Sequence, residues 1–600
     1  MKAYQEFLPS KFGSQWKRVG IQRRAGVATP LFSLYSKQSI GIGEFPDLKL
    51  LIDWCVSTRI SILQLFPMND VGFNFRPYDA ESLFALDPMY VSIEKLKKAP
   101  VKYFKREISA LRKKFPAGKP RVDYSVKMAK LALLRQIFSA RHSEAAAEES
   151  NKEFKNYREK NKFWLHDYSL FRVRKDENMQ KSWEEWPSAG EGLQGRETLF
   201  YEWLQWQAFE QFRGAQEYAR AKKIFLMGDL PFLVSRDSAD VWAHPEYFKL
   251  DLAAGAPPDL YFAKGQRWGM PPYDWTKIAG CGYDYLIEKL KYAENFYDLF
   301  RIDHFVGIFR IWTIRRSDPA ENAGYYGAFD PPNENEWEEH GRRVLNAVVK
   351  NTRMLPCAED LGAVPQCSYR VLEEFGIPGM DIQRWARDWG KTYDFMPSEN
   401  YRCNSVATLS THDMPPFSSW WRFEAGTVDE ELLKIKCGSR NIDFGTLKEK
   451  LFDPRKSSHG RLCWKKEIKD VSVLLERLGL AENEARDFMD IYRSTYDERE
   501  KFWRIIGMPS KSQEVCSVEL VKQVFFKINS GASIFSIQLL QDWLSLDGSF
   551  KGGARGFRIN APGTMSDKNW TLVMPYSLEK MKSLKVNKTI WEINSQTGRS

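Results

Sequence analysis

Residues 296–312 read FYDLFRIDHFVGIFRIW, an apolar-rich run of the kind that forms a buried strand, ending in a tight group of charge. Side chains on a strand alternate between faces, so Arg301 and Asp303 point the same way. A guanidinium beside Asp303 keeps that carboxylate ionised, and His304 stands next to it. This suits a carboxylate nucleophile. Taken alone, the same three residues also suit a structural salt bridge at a strand end, a choice the rest of the chain decides.

Working outward, similar apolar runs recur at 27–34 (interrupted by Pro30), 60–67, 224–233, 354–361, 379–385, 406–410 and 533–540. With 300–304 they make eight, separated by segments that read as helices, for example 46–57 after the glycine-punctuated SIGIGEF of 39–45. Continuous apolar character is what strands buried on both faces of a parallel sheet show. Eight strands alternating with helices predict an α/β fold, a (β/α)8 barrel, in which active sites lie at the C-terminal ends of the strands. Two charged, helix-rich stretches, 93–212 and 429–529, are expected to be helical subdomains inserted into that one catalytic domain of residues 1–600.

The polar motifs fall at or near those ends: Asp229 on the third strand, Asp303 on the fourth, Glu359 on the fifth, Asp413 just past the seventh. Glu359 lies in the apolar context PCAEDLG, where burial raises a carboxyl pKa, while Arg301 drives Asp303 the other way. One carboxyl kept protonated and one kept ionised is the pairing for glycoside cleavage with retention, at a separation of roughly 5–5.5 Å. Asp413, in LSTHDMPP beside His412, would bind sugar hydroxyls and help distort the ring; by itself His412-Asp413 also reads as a turn or helix cap. Zinc binding by His304, His412 and the acids lacks ligand spacing. Residues 255–275, GAPPDLYFAKGQRWGMPPYDW, are expected to form an aromatic lid or sugar platform; the plainer alternative is a rigid surface loop with Trp268 and Trp275 packed inward.

Composition narrows the class. Aromatic residues make up 14% of the 600, with 21 Trp, which suits either a well-filled core or a cleft that stacks sugar rings. The formal charge of +11 is spread along the chain, its densest run (97–114) reading as a solvated face, and no nucleic-acid readout motif accompanies it. The eight cysteines show no CxxC and no paired spacing, as free thiols in a reducing compartment would. No signal-peptide core and no run of membrane-spanning length is present, so a cytoplasmic protein without membrane or nucleic-acid partners is expected.

The ordered set GIGEF, GDLPFLVSRDSADVW, GAPPDLYFAKGQRWGMPPYDW, RIDHF, AEDLG, STHD and RINAPGT with Asn569-Trp570 resembles the amylomaltases, or 4-alpha-glucanotransferases (glycoside hydrolase family 77), from about residue 26 to 576. The resemblance implies a (β/α)8 barrel with inserted subdomains, no separate C-terminal β domain and no starch-binding module ahead of the barrel. It implies transfer of α-1,4-glucan segments between maltooligosaccharides or glycogen- and starch-type glucans through a covalent glucosyl-enzyme, with no metal or organic cofactor. By motif it makes Asp303 the nucleophile, Glu359 the acid/base and Asp413 the transition-state stabiliser. Arg301, His304, His412 and Asp229 would line the cleavage subsite, and Tyr78, Asp259, Gln266 and Trp268 would hold sugars around it. Two departures bear on acceptor preference: Val306 stands where many members have a basic residue, and Arg76 where many have Ser. The FVGIFRIW segment is similar to the branch that includes plant cytosolic transglucosidases. An α-amylase-like hydrolase and a catalytically silent glucan-binding protein are the alternatives to transfer.

Overall fold

A computed structural model of the chain describes residues 2–141, 151–187, 194–259, 262, 264–438, 440–550, 556–564 and 566–600. Eight parallel strands form one sheet: β1 (Arg24–Thr29), β2 (Ile62–Leu65), β3 (Phe225–Leu230), β4 (Leu299–Ile302), β5 (Leu355–Ala358), β6 (Gly379–Ile382), β7 (Ser405–Thr408) and β8 (Phe535–Leu539). They pair in chain order, with β8 returning to β1, except that β5 and β6 form the two ends of the sheet. The last gap is bridged where the Ala358 N–H donates to the Pro378 carbonyl at 2.7 Å, linking β5 to the residue ahead of β6. Most strands are buried at every position, as the interior wall of a barrel jacketed by helices must be. The expected (β/α)8 architecture is the one observed.

Individual bounds differ for local reasons. The first strand begins at Arg24 and stops before Pro30, after which Leu31–Ser33 tightens into a 3-10 turn. Proline has no N–H to give a ladder. Arg24, ahead of the expected start at 27, is buried because its guanidinium donates to the Val19 carbonyl at 2.6 Å and lies over the Phe225 ring. The stretch at 255–275 is not a loop throughout. Leu252–Ala256 and Gln266–Arg267 pair within a four-stranded antiparallel sheet with Ile311–Arg315 and Ala328–Asp330, and Trp275 opens a short helix.

Between β2 and β3 lie the helices Lys105–Lys114, Ser125–Arg141, Lys152–Lys160, Lys162–Glu177 and Gln194–Ala221. They are tied to the β2 loop through buried charge. Lys127 Nζ donates to Asp70 Oδ1 at 2.7 Å, Asp87 Oδ2 at 2.8 Å and the Gly72 carbonyl, Tyr168 donates to Asp70 at 2.6 Å, and Arg172 pairs with Glu81. The segment these contacts enclose, 70–87, carries Tyr78. After β7, the hairpin Thr427–Asp429 with Arg461–Cys463 and four helices between Glu430 and Thr495 surround an apolar cluster of their own, which includes Val428, Leu451 and Phe488. Farther on, Phe502, Leu520 and Phe525 join the main core.

Candidate active site

The barrel brings its polar strand ends together around one guanidinium. Arg301, the third residue of β4, points to the same side as Asp303, as strand alternation requires, and its Nη1 donates to Asp303 Oδ1 at 2.8 Å. The same Nη1 reaches Asp229 Oδ1 on β3 at 2.7 Å, and Nη2 lies 3.6 Å from Glu359 Oε2 just past β5. Three carboxylates from three neighbouring strands therefore share one cation. Burial works against the charge of Arg301, but Asp229 and the other acids hold it firmly protonated.

The electrostatics separate the acids. Burial pushes Glu359 up to about 8 despite Arg301, with the charge of Asp303 acting in the same direction. Its Oε2 also accepts from the His304 backbone N–H at 2.7 Å, which fixes the carboxyl beside the Asp303–His304 turn. His304 takes a left-handed conformation, φ 45°, to make that turn. Burial lowers its imidazole to about 4, so the ring is neutral at pH 7. Asp229, almost wholly buried, is raised by burial and by Asp303, with Arg301 opposing.

A second group faces the first through Tyr78. Its hydroxyl donates to Asp229 Oδ2 at 2.9 Å, and its ring stacks on His412 with 5.1 Å between centroids. His412 Nε2 is 3.4 Å from Asp413 Oδ2, while Asn560 Nδ2 donates to Asp413 Oδ1 at 2.6 Å and Arg558 donates to the Asp413 carbonyl. Trp570 and Phe66 close on the other sides of the His412 ring. Arg558, Asn560 and Trp570 were assigned no role from sequence, although RINAPGT and Asn569-Trp570 stood out as motifs. The contacts that reveal their place span some 145 residues of chain.

The aromatic hairpin supplies the third side. Trp268 is half-buried, edge-on to His304 at 4.7 Å, and donates to Gln266 Oε1 at 3.1 Å. Trp275 instead packs against Phe232, Tyr273 and His340, as the plainer packing reading has it for that residue. Asp259 is exposed in the loop after Ala256, where its carboxylate accepts from the Phe262 N–H at 2.6 Å. Among the described residues, no group of three or more His, Cys, Asp or Glu side chains is disposed to hold a metal ion.

What the arrangement offers is a protonated carboxyl, a carboxylate on the opposite arm of one guanidinium, a third acid held by an amide, and flanking rings. That set can donate a proton, attack a carbon and bind hydroxyls.

Comparison with known proteins agrees with this chemistry. Residues 29–578 match the model of the 4-alpha-glucanotransferase family, glycoside hydrolase family 77. A 4-alpha-glucanotransferase of Chlamydia pneumoniae is 31% identical over 583 residues, covering 94% of each chain. One from rice, Oryza sativa subsp. japonica, is 26% identical over 562 residues, covering 67% of this chain and 59% of that one. The structure of an amylomaltase from Streptococcus agalactiae in complex with acarbose superposes with a TM-score of 0.67 at 22% identity, over 96% of this chain and 100% of that one. The chain belongs to the 4-alpha-glucanotransferase family, the amylomaltases.

Proposed function

We propose that this protein transfers α-1,4-glucan segments from a donor maltooligosaccharide to an acceptor glucan by a retaining double displacement. The observation that carries the mechanism is the Arg301 guanidinium shared by Asp303 and Glu359, with Glu359 raised to about 8. At pH 7 Glu359 then holds its proton. Asp303 attacks the anomeric carbon, the bond to the departing oxygen breaks, and Glu359 gives that oxygen its proton. In the second half Glu359, now a carboxylate, takes the proton of the acceptor hydroxyl as that oxygen displaces Asp303. One guanidinium reaching both carboxyls, with Glu359 bonded to the residue after Asp303, supports the short separation of a retaining pair.

Asp413, steadied by Asn560, takes the hydroxyls of the ring being cleaved. Tyr78, Asp229 and His412 form that ring's floor, while Trp268, Gln266 and Asp259 belong to the platform for neighbouring sugars. Neutral His304 accepts or donates a hydrogen bond without adding charge beside Asp303. The partners are α-1,4-glucans and maltooligosaccharides. The segments 93–212 and 429–529 are proposed as inserted subdomains; a separate apolar cluster from Val428 to Tyr492 supports the first part of the second, while Phe502, Leu520 and Phe525 pack into the main core. A cytoplasmic setting is supported by eight free cysteines, and no helix among the described residues is long and apolar enough to cross a membrane.

The test is to trap the intermediate. Glu359→Gln given a donor with a good leaving group, maltosyl fluoride, accumulates a glucan ester on the peptide containing Asp303, seen by mass spectrometry. An adduct on another residue, or none while turnover continues, would refute the assignment.

A further inference from the structure

Outside the cluster around Arg301 lies a cavity of about 190 Å³ between the helix Lys162–Glu177 and the helices Ala239–Ala243 and Asp284–Ala293. Its wall is aromatic: Phe84, Phe163, Trp164, Tyr247 and Tyr285. The loop after β3 and the start of the helix that leads into β4 both sit at the C-terminal end of the barrel strands, so the cavity opens on the same end as the active site. A layer separates the two. Tyr273 donates to the Phe232 carbonyl at 2.7 Å, and Lys289 to the Pro231 carbonyl at 2.6 Å, between the cavity and His304.

Four carboxylates also border this cavity, and two of them, Glu288 and Asp240, have close protein partners. Glu288 pairs with Lys291 at 2.9 Å, and Asp167 lies 3.9 Å from His244. Asp240 accepts from the Tyr285 hydroxyl at 2.6 Å and the Leu83 N–H at 3.1 Å, and Asp284 sits in the first turn of its helix, where the helix dipole favours an acid. The cavity therefore combines an apolar aromatic wall with a rim of carboxylate hydrogen-bond acceptors, Asp167, Asp240, Asp284 and Glu288. A neutral, amphipathic ligand fits: ring C–H groups against the aromatic faces, hydroxyls toward the rim. The volume lies below the ~300–1,000 Å³ of sites for drug-sized ligands, which leaves room for one ring and not a chain.

We propose that this cavity is a second carbohydrate site that takes one pyranose unit, a glucosyl end of a branched or long glucan, and so holds polymeric substrate beside the active site. The assignment rests on the glucan reading above for the identity of the sugar.

Two variants test it: Ala243→Phe, which fills the cavity, and Tyr247→Ala, which removes one half-buried ring. Both are made in the parent and in an Asp303→Asn background that blocks turnover. Affinity electrophoresis through glycogen gels measures binding in the blocked proteins, and circular dichroism checks folding. Each variant is expected to weaken glycogen binding roughly three- to tenfold, the worth of one aromatic contact, and to leave maltotriose turnover in the parent background unchanged. Glycogen affinity unaltered in either folded variant would overturn the proposal. So would tetramethylammonium, and not maltose, raising the melting temperature of the blocked parent but not of its Ala243→Phe form, which would assign the cavity to an organic cation. Should Ala243→Phe fail to fold, Tyr247→Ala decides. Failure of the transferase reading shows separately, as a parent that does not disproportionate maltotriose while the glycogen-binding comparison still stands.

Discussion

Replacing Lys127 by Met should expose what fixes the loop that carries Tyr78. Lys127 is 1% exposed at the side chain and its partners Asp70 and Asp87 are 2% and 0% exposed, with contacts of 2.7 and 2.8 Å. Methionine keeps most of the volume but removes the one cation that touches both carboxylates, leaving Asp70 only the more distant Arg172. Removing one partner from a buried ion pair costs about 3–5 kcal/mol. Burial already holds Asp87 at about 6 in the folded state against the pull of Lys127, and loss of Lys127 raises it further above its unfolded value while Asp70 rises from about 2. Groups raised in that way contribute stability at low pH and lose it as pH rises through the folded value. The deficit should therefore be larger at pH 8 than at pH 5, by about 1.4 kcal/mol for each unit of additional shift. Urea unfolding of both proteins at the two pH values, followed by tryptophan fluorescence, measures it. Adding Asp70→Asn and Asp87→Asn to Lys127→Met should recover most of the loss. A deficit below about 1 kcal/mol, or one independent of pH, would refute the reasoning and leave only packing.

The active site yields further expectations. Asp303→Asn should stay folded and lose activity on the order of 10³-fold or more, since the amide keeps the shape but not the nucleophile; unchanged turnover would remove Asp303 from the mechanism. With Glu359 near 8, kcat/KM should fall as pH rises through about 8 and the acid deprotonates; a basic limb at the ordinary carboxylate range, near pH 4–5, would mean that burial does not protect the proton. Asn560→Ala removes the amide that holds Asp413 and should lower kcat/KM by roughly 10- to 100-fold, from a lost hydrogen bond to a charged group worth about 1.5–3 kcal/mol, with thermal stability little changed. Trp268→Ala should weaken transfer to short acceptors while circular dichroism stays native; a folding collapse would mean that its place against His304 is structural.

The barrel was legible because burial on both faces leaves continuous apolar runs, and the carboxylates were legible because they interrupt those runs at their ends. The pairing of Arg301 with Asp303 follows from two-residue alternation within one short strand. The rest is non-local. Arg24 reads as a surface residue until Val19 and Phe225 close over it, and the interior charges of the helical segment read the same way. Lys127 meets Asp70 across 57 positions, and no local window contains both. Part of the net charge left unexplained by composition is interior, as with Arg599, wholly buried and donating to the carbonyls of Arg24, Ser533 and Ile534. Asn560 lay in a recognisable motif, yet an amide carries no periodic signal, so its hold on Asp413 emerged only in three dimensions. The hairpin through Gln266 was hidden by the glycines and prolines around it, which read as loop.

Incubation of the purified protein with maltotriose alone, with products resolved by chromatography, separates transfer between glucans from hydrolysis. Transfer yields glucose together with maltooligosaccharides longer than the substrate, formed at constant total reducing ends. Glucose and maltose with rising reducing ends and no longer chains would contradict it, making water the acceptor and the protein a hydrolase.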